Sequence, residues 1–339
     1  MVEMKKILIM NTGGTLSSVM HKNGLAPGLK TDDLKDQLHV VSAGVELELK
    51  DVMALDSANV FPEDWKMLAD EISKVWQDYD GIVIIHGTDT LAYTSSMLSF
   101  MLQDISIPVV VTGSQLSMTD SVTDAMENCR CAIHFAASGV PGVYVAFNRK
   151  VMRGCRASKV RSLSFDAFDS INAPYVATIS SLGMRINEKI IRYPHGKFHL
   201  LDQYSDRVFL LKMFPGISPD TLRILRDQGY RGVYIEAFGI GGMPFLKHDF
   251  IKAAGELVNS GVTVLVGTQV RYEGANLSVY ETGMKALEAG VISAHDMTSE
   301  AAITKLMWVL GQTDDPDEIR NEFARDICGE INLKDTYAE

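Results

Sequence analysis

The sequence has 339 residues, 46% of them hydrophobic and 22% charged, which is typical of a globular protein large enough for two domains. Its formal net charge of −11 argues against nucleic acid or an anionic membrane as a partner, because either would require a basic surface. The first residues, MVEMKKILIM, lack the long apolar centre of a signal peptide, and no apolar run reaches transmembrane length. We therefore expect a cytoplasmic protein.

Seven short apolar segments are predicted to be β-strands, and they recur along the whole chain. They are continuously apolar rather than alternating, a pattern typical of strands that are covered on both faces of a sheet. In chain order they are KKILIM (5–10), GIVIIH (81–86), IPVVVTG (107–113), GVYVAFN (142–148), RVFLLKM (207–213), GVYIEAF (232–238) and VTVLVGT (262–268).

Helices are predicted between these strands from the spacing of the apolar residues. The first, 61–79, has Pro62 at an early helical position and the acidic residues Glu63 and Asp64 in its first turn, all of which favour a helix N-terminus. The others are 90–102, 120–137, 218–228, 247–259 and 299–311.

The alternation of strands and helices indicates an α/β fold, in which two domains each contain a largely parallel sheet flanked by helices. The polar segment 186–206 breaks this rhythm between the two halves. We therefore predict an N-terminal domain at 1–190, a linker at 191–206 and a C-terminal domain at 207–339.

No metal site is expected. His195 and His199 have a spacing of four residues but lie in the predicted linker, without an obvious third ligand. The cysteines lack the paired spacing of a zinc site and are interpreted as core or surface thiols of a protein in a reducing compartment. They are Cys129, Cys131, Cys155 and Cys328.

Polar residues follow several predicted strands, where ligands of open α/β sheets bind. These stretches are NTGGT at 11–15, GTDT at 87–90 and SQ at 114–115. The glycines of NTGGT could cradle a phosphate, but the spacings GxxxxGK[ST] and GxGxxG are both absent. The alternative is that Thr15 is a nucleophile, which would need a base to accept its proton.

HGTDT at 86–90 also has two interpretations. Asp89 or Thr90 could be the N-cap of the helix that follows. Thr88 and Asp89 could instead relay a proton if a lysine stood behind them. The two interpretations are compatible. His86 ends a strand, and we expect it to be buried and hydrogen-bonded rather than catalytic.

A set of motifs spread over nearly the whole chain resembles the L-asparaginase family, especially its cytoplasmic type I branch and archaeal relatives. TGGT followed by HGTDT at this separation is the most specific part of the likeness. The likeness implies an asparaginase/glutaminase-like fold with flavodoxin-like layers. The matching segments are NTGGT (11–15), DS (56–57), HGTDT (86–90), VTGSQ (111–115), RASK (156–159), FDAF (165–168), PGIS (215–218) and DMTSEAAITKLMWVLG (296–311).

The resemblance implies an L-asparagine amidohydrolase, which converts L-asparagine to L-aspartate and ammonia without a cofactor. Thr15 matches the nucleophile of the family, and its attack on the side-chain amide would leave an aspartyl ester that water hydrolyses. Thr88, Asp89 and Lys159 match the second catalytic cluster, in which the lysine and Thr88 handle protons. Burial would help Lys159 to act as a base.

The resemblance also implies how the substrate is held. Asp89 is expected to bind the α-amino group and Ser57 the α-carboxylate, while Asp56 matches the neighbouring position or is only a turn acid. Backbone N–H groups of the two glycine turns are available to stabilise an oxyanion. The expected substrate-binding positions are Gly14, Asp56, Ser57, Ala58, Gly87, Thr88 and Asp89.

At two positions, 25 and 236, this chain differs from many members of the family, and at a third, 281, two interpretations stay open. Leu25 stands where many relatives carry a lid tyrosine, so either another residue assists Thr15 or the lid only excludes water. Glu236 stands in place of an arginine of the family's second asparagine site, so we expect little activation by asparagine. Glu281 matches a glutamate that in some branches reaches the neighbouring subunit's site, and a solvent-exposed acid is an equal alternative.

The family further implies a homodimer, often doubled to a homotetramer, in which the C-terminal domain completes the site and the dimer interface.

Two rival functions stay open. One is the asparaginase-like subunit of an amidotransferase that makes Gln-tRNA, although that subunit carries a further domain before TGGT, which here begins at residue 12. The other is a nucleotide-binding or regulatory module that kept the fold without the chemistry. The four matched catalytic residues argue against this module.

Overall fold

The computed structural model describes residues 4–21, 24–27, 31–40, 42 and 44–332, with side chains described at 4–16, 34–40, 42 and 44–332. The chain divides into two compact units, an N-terminal unit (Met1–Asp202) and a C-terminal unit (Gln203–Glu339). Each unit is an α/β structure with its own sheet and its own hydrophobic core. This confirms the predicted fold class.

The N-terminal unit contains fourteen of the described strands and four of the described helices. The helices are α1 (Thr31–His39), α2 (Pro62–Val75), α3 (Leu91–Met101) and α4 (Ala125–Ala136). The strands are β1 (Lys5–Gly13), β2 (Ser18–His21), β3 (Gly24–Pro27), β4 (Val45–Leu55), β5 (Gly81–Ile85), β6 (Leu102–Gln103), β7 (Pro108–Thr112), β8 (Gly142–Phe147), β9 (Lys150–Arg153), β10 (Ala157–Lys159), β11 (Phe168–Ser170), β12 (Ala177–Ser180), β13 (Gly183–Ile186) and β14 (His199–Leu200).

Eight strands of the N-terminal unit form one sheet in the order β13-β12-β9-β8-β7-β5-β1-β4. Strands β4, β1, β5, β7 and β8 run parallel, whereas β9, β12 and β13 are joined by antiparallel pairing. The parallel strands end at one edge of the sheet, so the residues that follow β1, β4, β5 and β7 lie on the same side of the unit.

The parallel strands are covered on both faces, as their continuous apolar sequences predict. Ile7 and Ile9 of β1 join one buried cluster with Cys129 of α4. Leu8 and Met10 are equally buried, and because side chains alternate along a strand they face the other side of the sheet. Helix α3 packs against β7 and β8, and none of its residues belongs to the first cluster, so α3 covers this second face.

The C-terminal unit is built around four parallel strands in the order β15-β16-β17-β18. Helices α6 and α8 both pack against β17, and α9 packs against β18. The strands are β15 (Val208–Lys212), β16 (Gly232–Ala237), β17 (Thr263–Thr268) and β18 (Ile292–Ser293), and the helices are α5 (Asp220–Asp227), α6 (Phe250–Asn259), α7 (Glu281–Glu288), α8 (Ser299–Gln312) and α9 (Pro316–Ala324).

All seven predicted strands are present, as β1, β5, β7, β8, β15, β16 and β17, and the six predicted helices are α2, α3, α4, α5, α6 and α8. Helices α1, α7 and α9 and the remaining strands, β4 among them, do not follow from the apolar spacing of the sequence. Strand β4 lies at the edge of its sheet, and all of its residues except Leu47 are exposed or partly buried, so it lacks the continuous apolar pattern. Within the predicted linker, β14 pairs with β6, and the predicted domain limits stay predictions.

Among the described residues, no helix is long and apolar enough to cross a membrane. In the same part of the chain, no three His, Cys, Asp or Glu side chains are grouped as a metal ion would require. Cys129, Cys131 and Cys155 are buried, and Cys328 is partly exposed. Burial raises the pKa of Cys129 and of Cys131 to about 12, so neither thiol is poised as a nucleophile.

Candidate active site

The end of β1 is a glycine turn that packs backbone against backbone. Gly13 and Gly14 have φ angles of 102° and 80°, which glycine adopts readily and other residues rarely do. The Gly14 amide donates a 2.9 Å hydrogen bond to the carbonyl of Leu55 at the end of β4. A Cβ atom on Gly14 would lie 2.4 Å from the Gly87 nitrogen, so only glycine permits this approach.

The two threonines of TGGT have different environments. Thr12 is 2% exposed, and its hydroxyl donates to the Ile85 carbonyl at 2.7 Å, which ties the ends of β1 and β5 together. Thr15 is partly exposed and begins a short 3-10 turn, Thr15–Ser17. Thr12 is therefore committed to the fold, whereas Thr15 stands at the surface of the turn. This difference agrees with the sequence-based choice of Thr15 as the candidate nucleophile.

Gly87 brings the end of β5 against the end of β4. A Cβ atom on Gly87 would lie 2.5 Å from Ser57 Oγ and 3.2 Å from the Gly14 Cα. Ser57 is 3% exposed, and its hydroxyl oxygen accepts a 3.2 Å hydrogen bond from the Asp89 amide. Because this oxygen is an acceptor there, the hydroxyl hydrogen of Ser57 is available to donate to a ligand.

Asp56 and Ala58 flank Ser57 and form a small capped turn. Asp56 Oδ1 accepts a 3.0 Å hydrogen bond from the Ala58 amide and so caps the 3-10 turn Ser57–Asn59. The contact fits the alternative in which Asp56 is a turn acid. The Ala58 amide is used by this cap, and its carbonyl is the backbone group left to contact a ligand.

Lys159 connects Thr88 with Asp89. Its Nζ donates to Thr88 Oγ1 at 2.8 Å and to Asp89 Oδ1 at 2.6 Å. Lys159 ends β10, which pairs with β11, and its side chain is 20% exposed, against 63% for Asp89. The structure thus brings three of the four predicted catalytic residues into one hydrogen-bonded cluster.

Both interpretations of HGTDT can be compared with this cluster. Thr90 is the N-cap residue of α3, but it makes no side-chain capping bond. Its hydroxyl donates instead to the Ser57 carbonyl at 2.8 Å, and the Asp89 carboxylate binds Lys159. The predicted N-cap position is therefore confirmed at Thr90, although without a side-chain capping bond, and the lysine that the relay requires lies beside Thr88 and Asp89.

Gln115 is a site residue to which the sequence analysis gave no role. Its Oε1 lies 3.4 Å from Thr88 Oγ1, and its Nε2 donates to the carbonyls of Ser162 and Ser164 at 3.1 Å each. The Gln115 side chain therefore joins the cluster of Lys159, Thr88 and Asp89 to the turn that follows β10. The one signal in the sequence was its position directly after β7, but an uncharged amide has no characteristic chemistry in a sequence.

His86 is 1% exposed, and its ring Nδ1 lies 2.8 Å from the Gly87 carbonyl oxygen. Burial lowers the pKa of this imidazole, so the ring stays neutral at physiological pH. The expectation of a buried, hydrogen-bonded histidine is confirmed.

The remaining candidates lie outside this cluster or cannot be assigned to it. Leu25 belongs to β3, and its side chain lies outside the described residues. Glu281 belongs to the C-terminal unit, where it is 73% exposed and forms an ion pair with Lys285 at 3.4 Å. Its role at a neighbouring subunit's site stays a prediction.

Glu236, at the end of β16, already has partners within the C-terminal unit. It is 7% exposed, accepts a hydrogen bond from the Ser299 hydroxyl and lies 3.6 Å from Lys212 Nζ. A ligand carboxylate placed here would meet an occupied, negatively charged group.

Comparison with known proteins agrees with this architecture. Residues 6–192 match the family model described as "Asparaginase, N-terminal", and residues 207–323 match "Glutaminase/Asparaginase C-terminal domain". An L-asparaginase of Thermococcus kodakarensis is 42% identical over 96% of this chain and 99% of that protein. The solved structure of a thermostable L-asparaginase from Thermococcus kodakarensis covers 97% of this chain and 100% of that chain, with a TM-score of 0.92 and 42% identity.

A second kind of relative is a glutamyl-tRNA(Gln) amidotransferase component of Methanothermobacter thermautotrophicus, which is 35% identical over 99% of this chain and 79% of that protein. The fold and the cluster of hydroxyl, carboxylate and ammonium groups define a two-domain α/β amidohydrolase. Within that class, the chain belongs to the asparaginase family.

Proposed function

We propose that this protein is an L-asparagine amidohydrolase, which hydrolyses L-asparagine to L-aspartate and ammonia through an acyl-enzyme at Thr15. The observation that carries the proposal is the contact of Lys159 Nζ with both Thr88 Oγ1 and Asp89 Oδ1. A hydroxyl is a weak nucleophile, and a positioned proton acceptor beside it is what makes acyl transfer feasible.

In the first step, Thr15 Oγ1 attacks the carbon of the side-chain amide, and the hydroxyl proton of Thr15 passes through the Thr88 hydroxyl to the Lys159 amine, which accepts it in its neutral form. The C–N bond then breaks, and the departing nitrogen takes up a proton and leaves as ammonia. In the second step, water loses a proton to the same pair and attacks the ester carbon, which frees aspartate and restores the Thr15 hydroxyl. Splitting the reaction in this way replaces one difficult acyl transfer with two easier ones.

The distance between Ser57 and Asp89 supports an α-amino acid as the substrate. The Asp89 amide donates to Ser57 Oγ at 3.2 Å, so the two groups are neighbours. An α-ammonium and an α-carboxylate are borne by the same carbon atom and therefore need adjacent partners. The exposed Asp89 carboxylate suits the ammonium, and the Ser57 hydroxyl suits the carboxylate. Asp56 and Ala58 would complete this end of the pocket.

The glycine turns at Gly14 and Gly87 provide the backbone N–H groups that would contact the reacting side-chain amide of the substrate. The approach of Gly14 to the Gly87 nitrogen supports placing the Thr15 turn beside the peptide between Gly87 and Thr88. Backbone N–H groups aimed at the developing oxyanion typically contribute about 3 kcal/mol each to the transition state. We expect the amides of Thr15 and Thr88 to act in this way.

We further propose a cytoplasmic homo-oligomer, a dimer or a dimer of dimers, in which Glu281 contributes to the site of a neighbouring subunit. Buried cysteines at positions 129 and 131 that form no disulfide are compatible with a reducing compartment. Large apolar side chains next to Glu281 are exposed, among them Tyr280 at 62%, as expected where another chain packs. Analytical ultracentrifugation tests this: a monomer at micromolar concentration contradicts it.

A second candidate function, supply of ammonia to an amidotransferase, is favoured by the 35% identity to the glutamyl-tRNA(Gln) amidotransferase component. Both candidates release ammonia from an amide, so the discriminating condition is the absence of tRNA and of any partner protein. Rapid turnover of free asparagine by the isolated chain favours the asparaginase. Turnover that appears only when tRNA and a partner are added favours the amidotransferase.

The experiment that tests the proposed function measures ammonia release from L-asparagine and L-glutamine by the wild type, Thr15→Ala and Lys159→Ala. We expect both variants to lose several orders of magnitude in kcat. Thr178→Ala and Lys252→Ala are matched controls, because both residues are exposed, and we expect wild-type rates from them. Wild-type protein that releases no ammonia from either amide contradicts the proposal.

A further inference from the structure

A chain of buried polar groups lies beneath the candidate active site and ends at the Gly87 carbonyl. His86 Nδ1 lies 2.8 Å from that oxygen, and because a carbonyl can only accept, Nδ1 must carry the ring hydrogen. The ring is neutral, so its Nε2 is an acceptor. Thr94 Oγ1 lies 3.0 Å from Nε2 and therefore donates its hydrogen to the imidazole.

Trp65 fixes the direction of this chain from its other end. Its indole nitrogen can only donate, and it donates to Thr94 Oγ1 at 2.9 Å. The Thr94 oxygen thus accepts from Trp65, and its own hydrogen is directed to His86. Trp65 is 6% exposed and Thr94 is fully buried, so water does not compete for these bonds. The tautomer of His86 is therefore locked with the hydrogen on Nδ1.

The locked tautomer has a geometric consequence for the next peptide. A trans peptide is planar, so the Gly87 carbonyl and the Thr88 N–H point in opposite directions. Because the carbonyl is directed inwards to His86, the Thr88 N–H must point away from the buried ring. Gly87 cannot hold this orientation by itself, since a glycine rotates more freely than any other residue.

The other tautomer of His86 would favour the opposite orientation of the peptide between Gly87 and Thr88. With the hydrogen on Nε2, the lone pair of Nδ1 would face the Gly87 oxygen, and a rotated peptide that offers its N–H to the ring would be preferred. The Thr88 amide would then be turned inwards and lost to the site. The state of one buried ring thus decides which face of this peptide is presented outwards.

We infer that His86 is a positioning residue: acting through Gly87, it presents the Thr88 N–H to the oxyanion, and Trp65 and Thr94 hold it in the tautomer that does so. The inference rests on the proposed amidohydrolase function and deepens it. His86 itself does not touch the substrate, since it is 1% exposed.

Two substitutions separate positioning from mere support of the fold. In His86→Asn the amide nitrogen takes the place of Nδ1 and can still donate to Gly87, but the contact with Thr94 is lost. In His86→Gln the side-chain amide reaches Thr94, but no donor faces Gly87. Both variants lose half of the chain of hydrogen bonds, so both should melt at a lower temperature than the wild type.

We expect kcat to fall about a hundredfold in His86→Gln, in line with loss of an oxyanion donor, while KM stays within about threefold. His86→Asn should retain kcat within about tenfold of the wild type, because peptide orientation is kept. Equal losses of kcat in the two variants, or a wild-type kcat in His86→Gln, would overturn the inference. Wild-type protein without ammonia release would instead refute the proposed function.

A spectroscopic measurement tests the tautomer without relying on activity. Isotope-labelled histidine NMR of the wild type should show a neutral His86 ring protonated on Nδ1. The His86 signals are assigned by their absence from His86→Asn or by their change in chemical shift in Thr94→Val. A ring protonated on Nε2, or one that titrates like free imidazole, would overturn the inference even if both His86 variants fail to fold.

Discussion

Lys159 and Asp89 form an ion pair with 2.6 Å between Nζ and Oδ1, across a separation of 70 residues in the chain. The Asp89 side chain is 63% exposed, and ion pairs so accessible to water typically contribute about 0–1 kcal/mol to stability. The pair therefore contributes little to the stability of the fold, in agreement with the proposed role of both residues in the active site. It holds the Lys159 amino group beside Thr88, and the largely exposed Asp89 carboxylate is accessible to a substrate ammonium.

Asp89→Asn should therefore separate activity from stability. Removing the charge deprives the substrate ammonium of its counterion, so we expect KM to rise at least about tenfold, with a lower kcat because Lys159 loses its partner. The melting temperature should change by only a few degrees. Steady-state kinetics and thermal denaturation measure both effects. Asp80→Asn, which breaks the 2.7 Å ion pair with Lys5, is the matched control and should leave the kinetics unchanged.

Gly14→Ala should abolish turnover because its methyl group has no space. The new Cβ would lie 2.4 Å from the Gly87 nitrogen, a backbone atom that cannot move aside without displacing Thr88. Gly183→Ala is the control, since Gly183 has a similar positive φ of 93° but no atom within 4 Å of a Cβ. We expect loss of activity only in Gly14→Ala. Comparable activity in the two variants would contradict the close packing of the glycine turn.

The buried pair Lys305–Glu330 predicts acid sensitivity of the C-terminal unit. Both side chains are fully buried, with Nζ 2.5 Å from Oε1, and Glu330 also accepts hydrogen bonds from the Ile327 and Cys328 amides. Burial alone would raise the pKa of the Glu330 carboxyl, but the ammonium of Lys305 and these amides together outweigh burial and lower the pKa to about 2, from an ordinary value of 4.5. A lowered pKa means that the stabilisation is fully present above the unfolded value and is lost as the pH falls from there towards 2.

Thermal melts over this acidic range test the prediction. The melting temperature of the wild type should fall steeply, and that of Glu330→Gln should start lower and depend less on pH. Lys305→Met should cost about 3–5 kcal/mol of unfolding free energy, because it leaves a buried carboxylate without its partner. A wild-type melting temperature independent of acid pH would refute the role of Glu330.

The initial rate should depend hyperbolically on the concentration of asparagine. Glu236 is buried and already bound by Ser299, so a second asparagine would place its carboxylate against an occupied acid. A sigmoidal curve in the wild type would show an activating site and contradict this prediction. Glu236→Gln provides the control, since a curve unchanged by loss of the charge is expected when no effector binds there.

The sequence was a good guide to the parallel strands and a poorer guide to the rest of the sheet. Strands β1, β5, β7 and β8 are buried on both faces, and their continuous apolar runs are distinctive. Strand β4 is half exposed at the sheet edge, and β10 and β11 have three residues each, which is too short for any periodicity. The hairpin that carries Lys159 was therefore not predictable as an element.

Within the site, residues with distinctive chemistry could be found, and residues that act through geometry could not. Thr88 and Asp89 follow a clear strand, and the structure joins them to Lys159. Gln115 was missed because an amide acts here only through its distances to Thr88 and to the turn beyond β10. The link from His86 through Thr94 to Trp65 spans three elements, and no spacing in the sequence reveals it.

The central claim is that Thr15 becomes esterified during turnover, and rapid acid quenching of the enzyme with L-asparagine, followed by peptide mass spectrometry, tests it most directly. We predict an aspartyl adduct on the peptide that contains Thr15, located on its hydroxyl by fragmentation, and no adduct in Thr15→Ala. An adduct on any other side chain, or a Thr15→Ala variant that releases ammonia at the wild-type rate, would contradict the account.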